Sequence, residues 1–140
     1  MKRIVALFLS LALLAGAVYG APKTQVKIPL IIESTVDDNG WGQAMHDAIA
    51  AVQKKYGSTL VEYNYSEKMK PVDAGSAARQ YASRGFDIIL AHGAQFKNLI
   101  LELSEEFPKT TFAFGTNADV GPKNVFTYMP MSEEIGRAHV

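Results

Sequence analysis

His92, Gly93 and Phe96 follow directly on a short apolar run, Phe86 to Ala91, that is rich in isoleucine and leucine. Such a run, bounded by Gly85 and Gly93, is typical of a strand buried on both faces of a sheet. Ligands of open α/β sheets bind outside the carboxyl ends of the strands, so we expect a binding site at this turn. The histidine would supply specificity and the phenyl ring a stacking surface, whereas the glycine either lets the backbone approach a ligand or simply forms the turn.

Trp41 and Asp38 form a second candidate group, after the first predicted strand. Asp37 and Asp38 end a loop that is dense in turn formers, and Trp41 opens the helix that follows. The indole could stack on a flat ligand or belong to an ordinary core stripe, and both alternatives stay open. Likewise, the aspartates could cap the helix or contact a ligand's hydroxyl groups. Because they are adjacent, they need not converge as an acid and base pair.

Alternating strands and helices must position these residues. Strands are predicted at 26–32, 60–65, 86–91, 111–114 and 125–129, and helices at 41–56, 71–84 and 96–107. The first helix carries one apolar face, made of Trp41, Ala44, Met45, Ala48, Ile49, Val52 and Tyr56. Gly57 should end this helix in a left-handed conformation. The order predicts an α/β fold with a mainly parallel sheet and helices on both faces.

Composition and motifs argue against several classes of function. The 140 residues carry no net charge and no cysteine, which disfavours nucleic-acid binding, disulfide scaffolds, thiolate zinc sites and cysteine nucleophiles. Serine hydrolase, zinc protease, Walker and dinucleotide-binding motifs are also absent from the sequence. His46 has no second ligand at i+4, so we interpret it as a surface or partly packed residue. We therefore expect no catalytic residue, no metal and no cofactor.

Both ends of the chain suggest segments outside the fold. Residues 1–20 have a basic start, an apolar stretch too short to span a bilayer and a small-residue end, which predicts a signal peptide cleaved after Gly20 or near Ala15 to Ala17. An uncleaved anchor helix is the alternative. Residues 135–140, Ile-Gly-Arg-Ala-His-Val, match the translation of a widely used sequencing adapter. We interpret them as read-through at the end of a gene fragment, the alternative being a natural tail.

Four segments follow one another along the chain: WGQAMH at 41–46, VEY at 61–63, GFDIILAHG at 85–93 with Phe96, and FPKTTFAF at 107–114. In this order they resemble the basic membrane protein family of ABC transporter substrate-binding proteins, whose characterised members bind purine nucleosides. The resemblance implies a type 1 periplasmic-binding fold, in which two α/β lobes close on a ligand about a hinge. Residues 21–134 would form an incomplete N-terminal lobe, because family members are much longer than this chain.

The same resemblance implies five ligand-binding residues, which are Asp38, Trp41, His92, Gly93 and Phe96. Many relatives have asparagine where this chain has Gly42, so nucleoside specificity is left open. Relatives with an N-terminal lipid anchor have a cysteine, and this chain has none, so we expect a free periplasmic protein. Its expected partners are a nucleoside-like solute and an inner-membrane ABC permease, and nucleic acid is not among them.

The hypothesis from sequence is therefore a solute-binding component of an ABC importer, without enzymatic activity, that takes a purine nucleoside or a similar planar solute. A sugar or other small metabolite is the alternative within the same fold. A secreted nucleoside-cleaving hydrolase would need clustered carboxylates or a metal, which only Glu33, Asp37 and Asp38 approach. A ligand-sensing partner of a membrane receptor is a third possibility.

Overall fold

The computed structural model of the chain describes residues 24–116 and 121–130. Five strands form one sheet: β1 (Val26–Ile31), β2 (Val61–Ser66), β3 (Ile88–Ala91), β4 (Thr111–Gly115) and β5 (Val125–Tyr128). Their spatial order is β2-β1-β3-β4-β5, and every neighbouring pair is parallel. The predicted signal peptide and residues 135–140 lie outside the described residues. No helix within the described ranges is long and apolar enough to cross a membrane.

Three helices cover the sheet: α1 (Trp41–Tyr56), α2 (Pro71–Ser83) and α3 (Lys97–Glu106), the last preceded by a short 3-10 turn at Ala94–Phe96. The alanine face of α2 and the leucine and isoleucine of α3 pack with β3 and β4 in the larger core cluster. Ile49 of α1 belongs to a second cluster on the other face, with Leu30 and Leu90. The predicted parallel α/β sheet with helices on both faces is confirmed, and the strand ends differ from the prediction by one or two residues.

The apolar face predicted for α1 is only partly buried. Ile49 is buried and Met45 packs against the second cluster, but Ala44, Ala48 and Val52 are exposed. The reason is that α1 packs mainly against β2, at the edge of the sheet, so only a narrow strip of the helix meets the core. Gly57 ends the helix with φ of +84°, as predicted.

Asp38 determines where α1 begins. Its Oδ1 accepts hydrogen bonds from the amides of Gly40 (2.9 Å) and Gln43 (3.0 Å), and its Oδ2 accepts one from the amide of Gly42 (3.0 Å). These bonds satisfy amides that have no partner inside the helix. The Gln43 amide and the Ser34 hydroxyl contribute most to holding the pKa of Asp38 at about 2, below the ordinary 3.8. The capping alternative is thus what the structure shows for this carboxylate.

Asn124 fixes the start of β5. Its Nδ2 donates to the carbonyl oxygens of Ser104 (3.0 Å) and Thr110 (3.0 Å), with a longer contact to that of Phe107 (3.4 Å). One side-chain amide therefore links the end of α3 and the segment before β4 to the last strand. This linkage places the end of β5 beside that of β4.

Replacing Asp38 should change how stability depends on pH. Because the folded pKa is depressed, the charged form stabilises the fold above about pH 4, and this contribution disappears as the pH falls towards 2. We expect Asp38→Asn to be less stable than wild type at neutral pH and the difference to shrink over that window. Thermal unfolding at a series of pH values measures it. Asp37→Asn is the matched control and should show no such convergence.

Replacing Asn124 should destabilise the fold in a charge-dependent way. Asn124→Ala removes one donor from three carbonyl oxygens, of which that of Phe107 keeps the amide of Thr110, and we expect this to cost about 1–3 kcal/mol of unfolding free energy. Asn124→Asp places a carboxylate against the same oxygens and should cost more. Urea unfolding compares the two variants. Equal stability of Asn124→Asp and wild type would contradict this account.

Candidate functional site

An open cavity of about 460 Å³ lies at the carboxyl ends of β1, β3 and β4. It is lined by Glu33, Ser34, Asp38, Trp41, His92, Gly93, Ala94, Gln95 and Thr116. Four of the five predicted site residues are therefore brought together here, and Phe96 is not. A second cavity, of about 390 Å³, opens at the opposite edge between the ends of α2 and α3. None of the predicted site residues reaches that second cavity, so we assign the site to the first.

Trp41 lines the cavity, and its indole packs against a second aromatic ring. Its indole stacks on the imidazole of His92, with ring centroids 4.2 Å apart and planes inclined by 12°. The ring of Tyr128 follows at 6.3 Å from the indole. The Trp41 residue remains 37% exposed, so it is not an ordinary core tryptophan. The indole thus packs on the imidazole of His92 and is partly exposed in the cavity.

His92 is buried, and both of its ring nitrogens have partners. Nε2 lies 2.8 Å from the main-chain oxygen of Trp41, and Nδ1 lies 2.5 Å from the hydroxyl oxygen of Tyr128. Burial lowers the pKa of His92 below 6.5, although the bond to Trp41 and the charge of Asp38 oppose this. The imidazole is therefore neutral at pH 7 and serves to connect other residues.

Tyr128 and Gly115 complete this arrangement, and sequence reasoning did not single out either of them. A Cβ atom at Gly115 would come within 2.9 Å of Cε2 of Tyr128 and 3.1 Å of Cζ2 of Trp41. Gly115 therefore lets both rings approach the end of β4 closely. Only the pairing of β5 beside β4 brings residue 128 to this edge, since Gly115 is opposite Tyr128 in the register.

The carboxylate of Asp38 has little capacity left for a ligand. Three amides and the Ser34 hydroxyl already use its oxygens, which offer about four acceptor positions. Gly42 explains how the loop comes so close, because a Cβ atom there would lie 2.5 Å from Oγ of Ser34 and 2.8 Å from Oδ2 of Asp38. A larger side chain at residue 42 does not fit this loop conformation.

Gly93 lines the cavity beside the hydrogen-bonded side chains of Gln95 and Glu33. The Nε2 of Gln95 donates to Oε2 of Glu33 at 2.9 Å, and this side chain crosses the place where a Cβ of Gly93 would lie. The backbone of Gly93 is extended, with φ of 161°, so the residue serves close approach and not an unusual turn. Sequence reasoning did not single out Gln95 or Thr116 as parts of the site.

The prediction that Phe96 lines the cleft requires correction. Its side chain is fully buried and belongs to the larger core cluster, with Ile100 and Phe114. The 3-10 turn at Ala94–Phe96 comes between β3 and α3 and directs this ring into the core, whereas the sequence pattern suggested a helix that begins at the sheet edge. In place of Phe96, His92 and Tyr128 supply the rings that accompany Trp41.

Within residues 24–116 and 121–130, no group of three or more histidine, cysteine, aspartate or glutamate side chains could hold a metal ion. His46 is partly buried, and its Nδ1 lies 2.8 Å from the hydroxyl oxygen of Tyr63. Its ring also meets Tyr65 edge to face, with centroids 5.3 Å apart. It is a packed residue of the α1 and β2 surface, away from the cavity.

Two curated proteins are similar in sequence to this chain, one over most of its length and the other over part of it. Transcriptional activator protein med of Bacillus subtilis is 26% identical over 136 residues, which are 96% of this chain and 42% of that protein. A candidate ABC transporter glucose-binding protein, TsgA13 of Haloferax volcanii, is 29% identical over 83 residues, or 59% of this chain and 21% of that protein. The chain therefore spans less than half the length of either relative.

A solved structure is also similar to this chain. An ABC transporter system solute-binding protein from Conexibacter woesei superposes with a TM-score of 0.65 and 27% sequence identity, over 74% of this chain and 35% of that one. Residues 25–135 also match the family model Bmp, described as ABC transporter substrate-binding protein PnrA-like. This match covers most of the chain and nearly all the residues described above. The chain therefore belongs to the Bmp family of PnrA-like ABC transporter substrate-binding proteins.

Proposed function

We propose that this chain is the first lobe of the solute-binding component of an ABC importer, and that its ligand is a purine nucleoside or a similar planar heterocycle. The observation that carries the proposal is the position of Trp41. Its indole is partly exposed in an open cavity at the carboxyl edge of the sheet and is backed by His92. A flat ligand can extend such a stack, since offset stacking of aromatic rings is favourable.

The charges around the cavity support a ligand without phosphate. Its described lining includes two carboxylates, Glu33 and Asp38, and neither lysine nor arginine. The imidazole of His92 is neutral, so it adds no positive charge. Ser34, Gln95 and Thr116 offer hydroxyl and amide groups at the rim, which suit the hydroxyls of a ribose.

The cavity supplies one wall of a binding site. Ligand pockets bury most of the ligand surface, which this open cavity does not do alone. We place the second wall in a further lobe beyond this chain, which closes on the ligand about a hinge. The protein would act outside the cytoplasm after cleavage of its signal peptide, and would deliver the solute to a membrane permease.

Two relatives favour specific alternatives. TsgA13 is named for glucose binding, so a sugar that packs on the indole is the second candidate. Med is named a transcriptional activator, so a regulatory protein whose cavity reports a ligand to other proteins is a third candidate. Hydrolysis of a nucleoside is less well supported, because the carboxylate best placed for it, Asp38, already accepts bonds from three amides.

Replacing Trp41 should weaken nucleoside binding. In the intact protein, Trp41→Ala removes the stacking surface, so we expect about ten- to hundredfold weaker binding of adenosine or guanosine. Isothermal titration calorimetry measures the affinity, and chromatography of the recovered ligand shows whether it is unchanged. Tyr56→Ala is the control, because Tyr56 is an exposed aromatic residue at the other end of α1.

Three results would change the proposal. Saturable binding of glucose without a response to nucleosides would replace the nucleoside by a sugar. Release of the free base would make the protein an enzyme. Equal weakening by Tyr56→Ala and Trp41→Ala would show that the effect is not local to the cavity.

A further inference from the structure

The rings of Trp41, His92 and Tyr128 form what we call the aromatic stack, and they join three elements that are distant in the chain. Trp41 opens α1, His92 follows β3, and Tyr128 ends β5. The planes of His92 and Tyr128 are inclined by 18°, with centroids 5.7 Å apart. Tyr128 does not line the cavity, so any effect of this residue on a ligand must pass through its neighbours.

The hydrogen bonds of His92 fix the positions of its protons. The main-chain oxygen of Trp41 can only accept, so Nε2 of His92 must carry the hydrogen that it donates over 2.8 Å. In a neutral imidazole Nδ1 is then the acceptor, and the hydroxyl of Tyr128 must be its donor. Tyr128 therefore donates to Nδ1 of His92, and Nε2 of His92 donates to the main-chain oxygen of Trp41.

The packing leaves the stack little freedom to shift. Gly115 lies under the rings of Tyr128 and Trp41, at distances that leave no room for a methyl group. His92 is 4% exposed, so no solvent can replace a lost hydrogen bond at Nδ1 without rearrangement. The orientation of the indole thus depends on both the ring contacts and the chain of hydrogen bonds.

We propose that Tyr128 is a positioning residue for the solute-binding surface, which acts through His92 to hold the backbone and indole of Trp41 in the orientation that a planar ligand meets. This inference rests on the function proposed above. The hydroxyl of Tyr128 is the part that matters, because a phenyl ring in its place would keep the packing against Gly115 and lose only the bond to Nδ1.

The arrangement also makes the surface sensitive to protonation of His92. A proton on Nδ1 reverses this bond, because Nδ1 then donates to the hydroxyl oxygen of Tyr128, and the hydroxyl hydrogen loses its acceptor. The other ionisable groups that face His92 are Asp38, whose charge favours protonation, and Tyr128 itself, whose pKa is raised by burial. Binding should therefore weaken at acidic pH, as His92 becomes protonated.

The test compares Tyr128→Phe with Tyr63→Phe in the intact protein. Tyr63 is the matched control, since its hydroxyl also lies 2.8 Å from Nδ1 of a histidine, His46, but away from the cavity. With adenosine as the probe, we expect Tyr128→Phe to bind about three- to tenfold more weakly at neutral pH. Tyr63→Phe should bind as wild type does.

NMR of the ligand-free protein separates this inference from the proposed function. With labelled histidine, Nε2 of His92 should be protonated and Nδ1 not, and Tyr128→Phe should shift the Nδ1 signal and the indole signals of Trp41. If wild type does not bind adenosine, the proposed ligand is wrong, and the Trp41 signals alone decide the positioning role. If wild type binds adenosine and Tyr128→Phe binds equally well over the whole pH range, the positioning role is overturned and the proposed function stands.

Discussion

The site depends on the parallel pairing of β1 with β3. Leu30 lies opposite Leu90 and Ile31 opposite Ala91, and the pairing extends by one bond, from the amide of His92 to the carbonyl of Ile31 (2.9 Å). Because all five strands run in the same direction, their carboxyl ends share one edge. Residues from the segments that follow β1, β3 and β4 therefore meet there with the end of β5, although 87 positions separate Trp41 from Tyr128 in the sequence.

Most polar groups closest to the indole are already satisfied within the protein. Asp38 accepts bonds from the first amides of α1, and His92 uses both ring nitrogens to connect Tyr128 with Trp41. Buried groups that are fully paired hold one arrangement, whereas a group with a missing partner would have several. The inner part of the wall thus supplies shape and a stacking surface. Under the proposed function, hydrogen bonds to a solute would come from the exposed rim and from a second lobe.

The sequence predicted the fold well because the apolar runs and glycine breaks are local signals. The same local reasoning placed Trp41 and His92 at one edge, since it needed only the ends of strands. It failed for Phe96, whose ring turns inward within a 3-10 turn that no periodic pattern reveals. It also missed Tyr128 and Gly115, because their roles depend on β4 and β5 being neighbours in the sheet. The spacing of residues along the sequence does not reveal this pairing.

Under the proposed function, the partly exposed indole contacts only one side of the ligand, so a second lobe is needed to cover the other. A cavity open to solvent leaves much of a bound ring hydrated, so stacking on Trp41 from one side replaces only part of the water around it. The remaining apolar surface is removed from water only when a second wall covers the ligand. A ligand can favour the closed form only through contacts that the open form lacks, and these are the contacts with that second wall. In the proposed two-lobe protein, the aromatic stack would favour closure by holding the indole in place before the second wall covers the ligand, so that less ordering opposes binding.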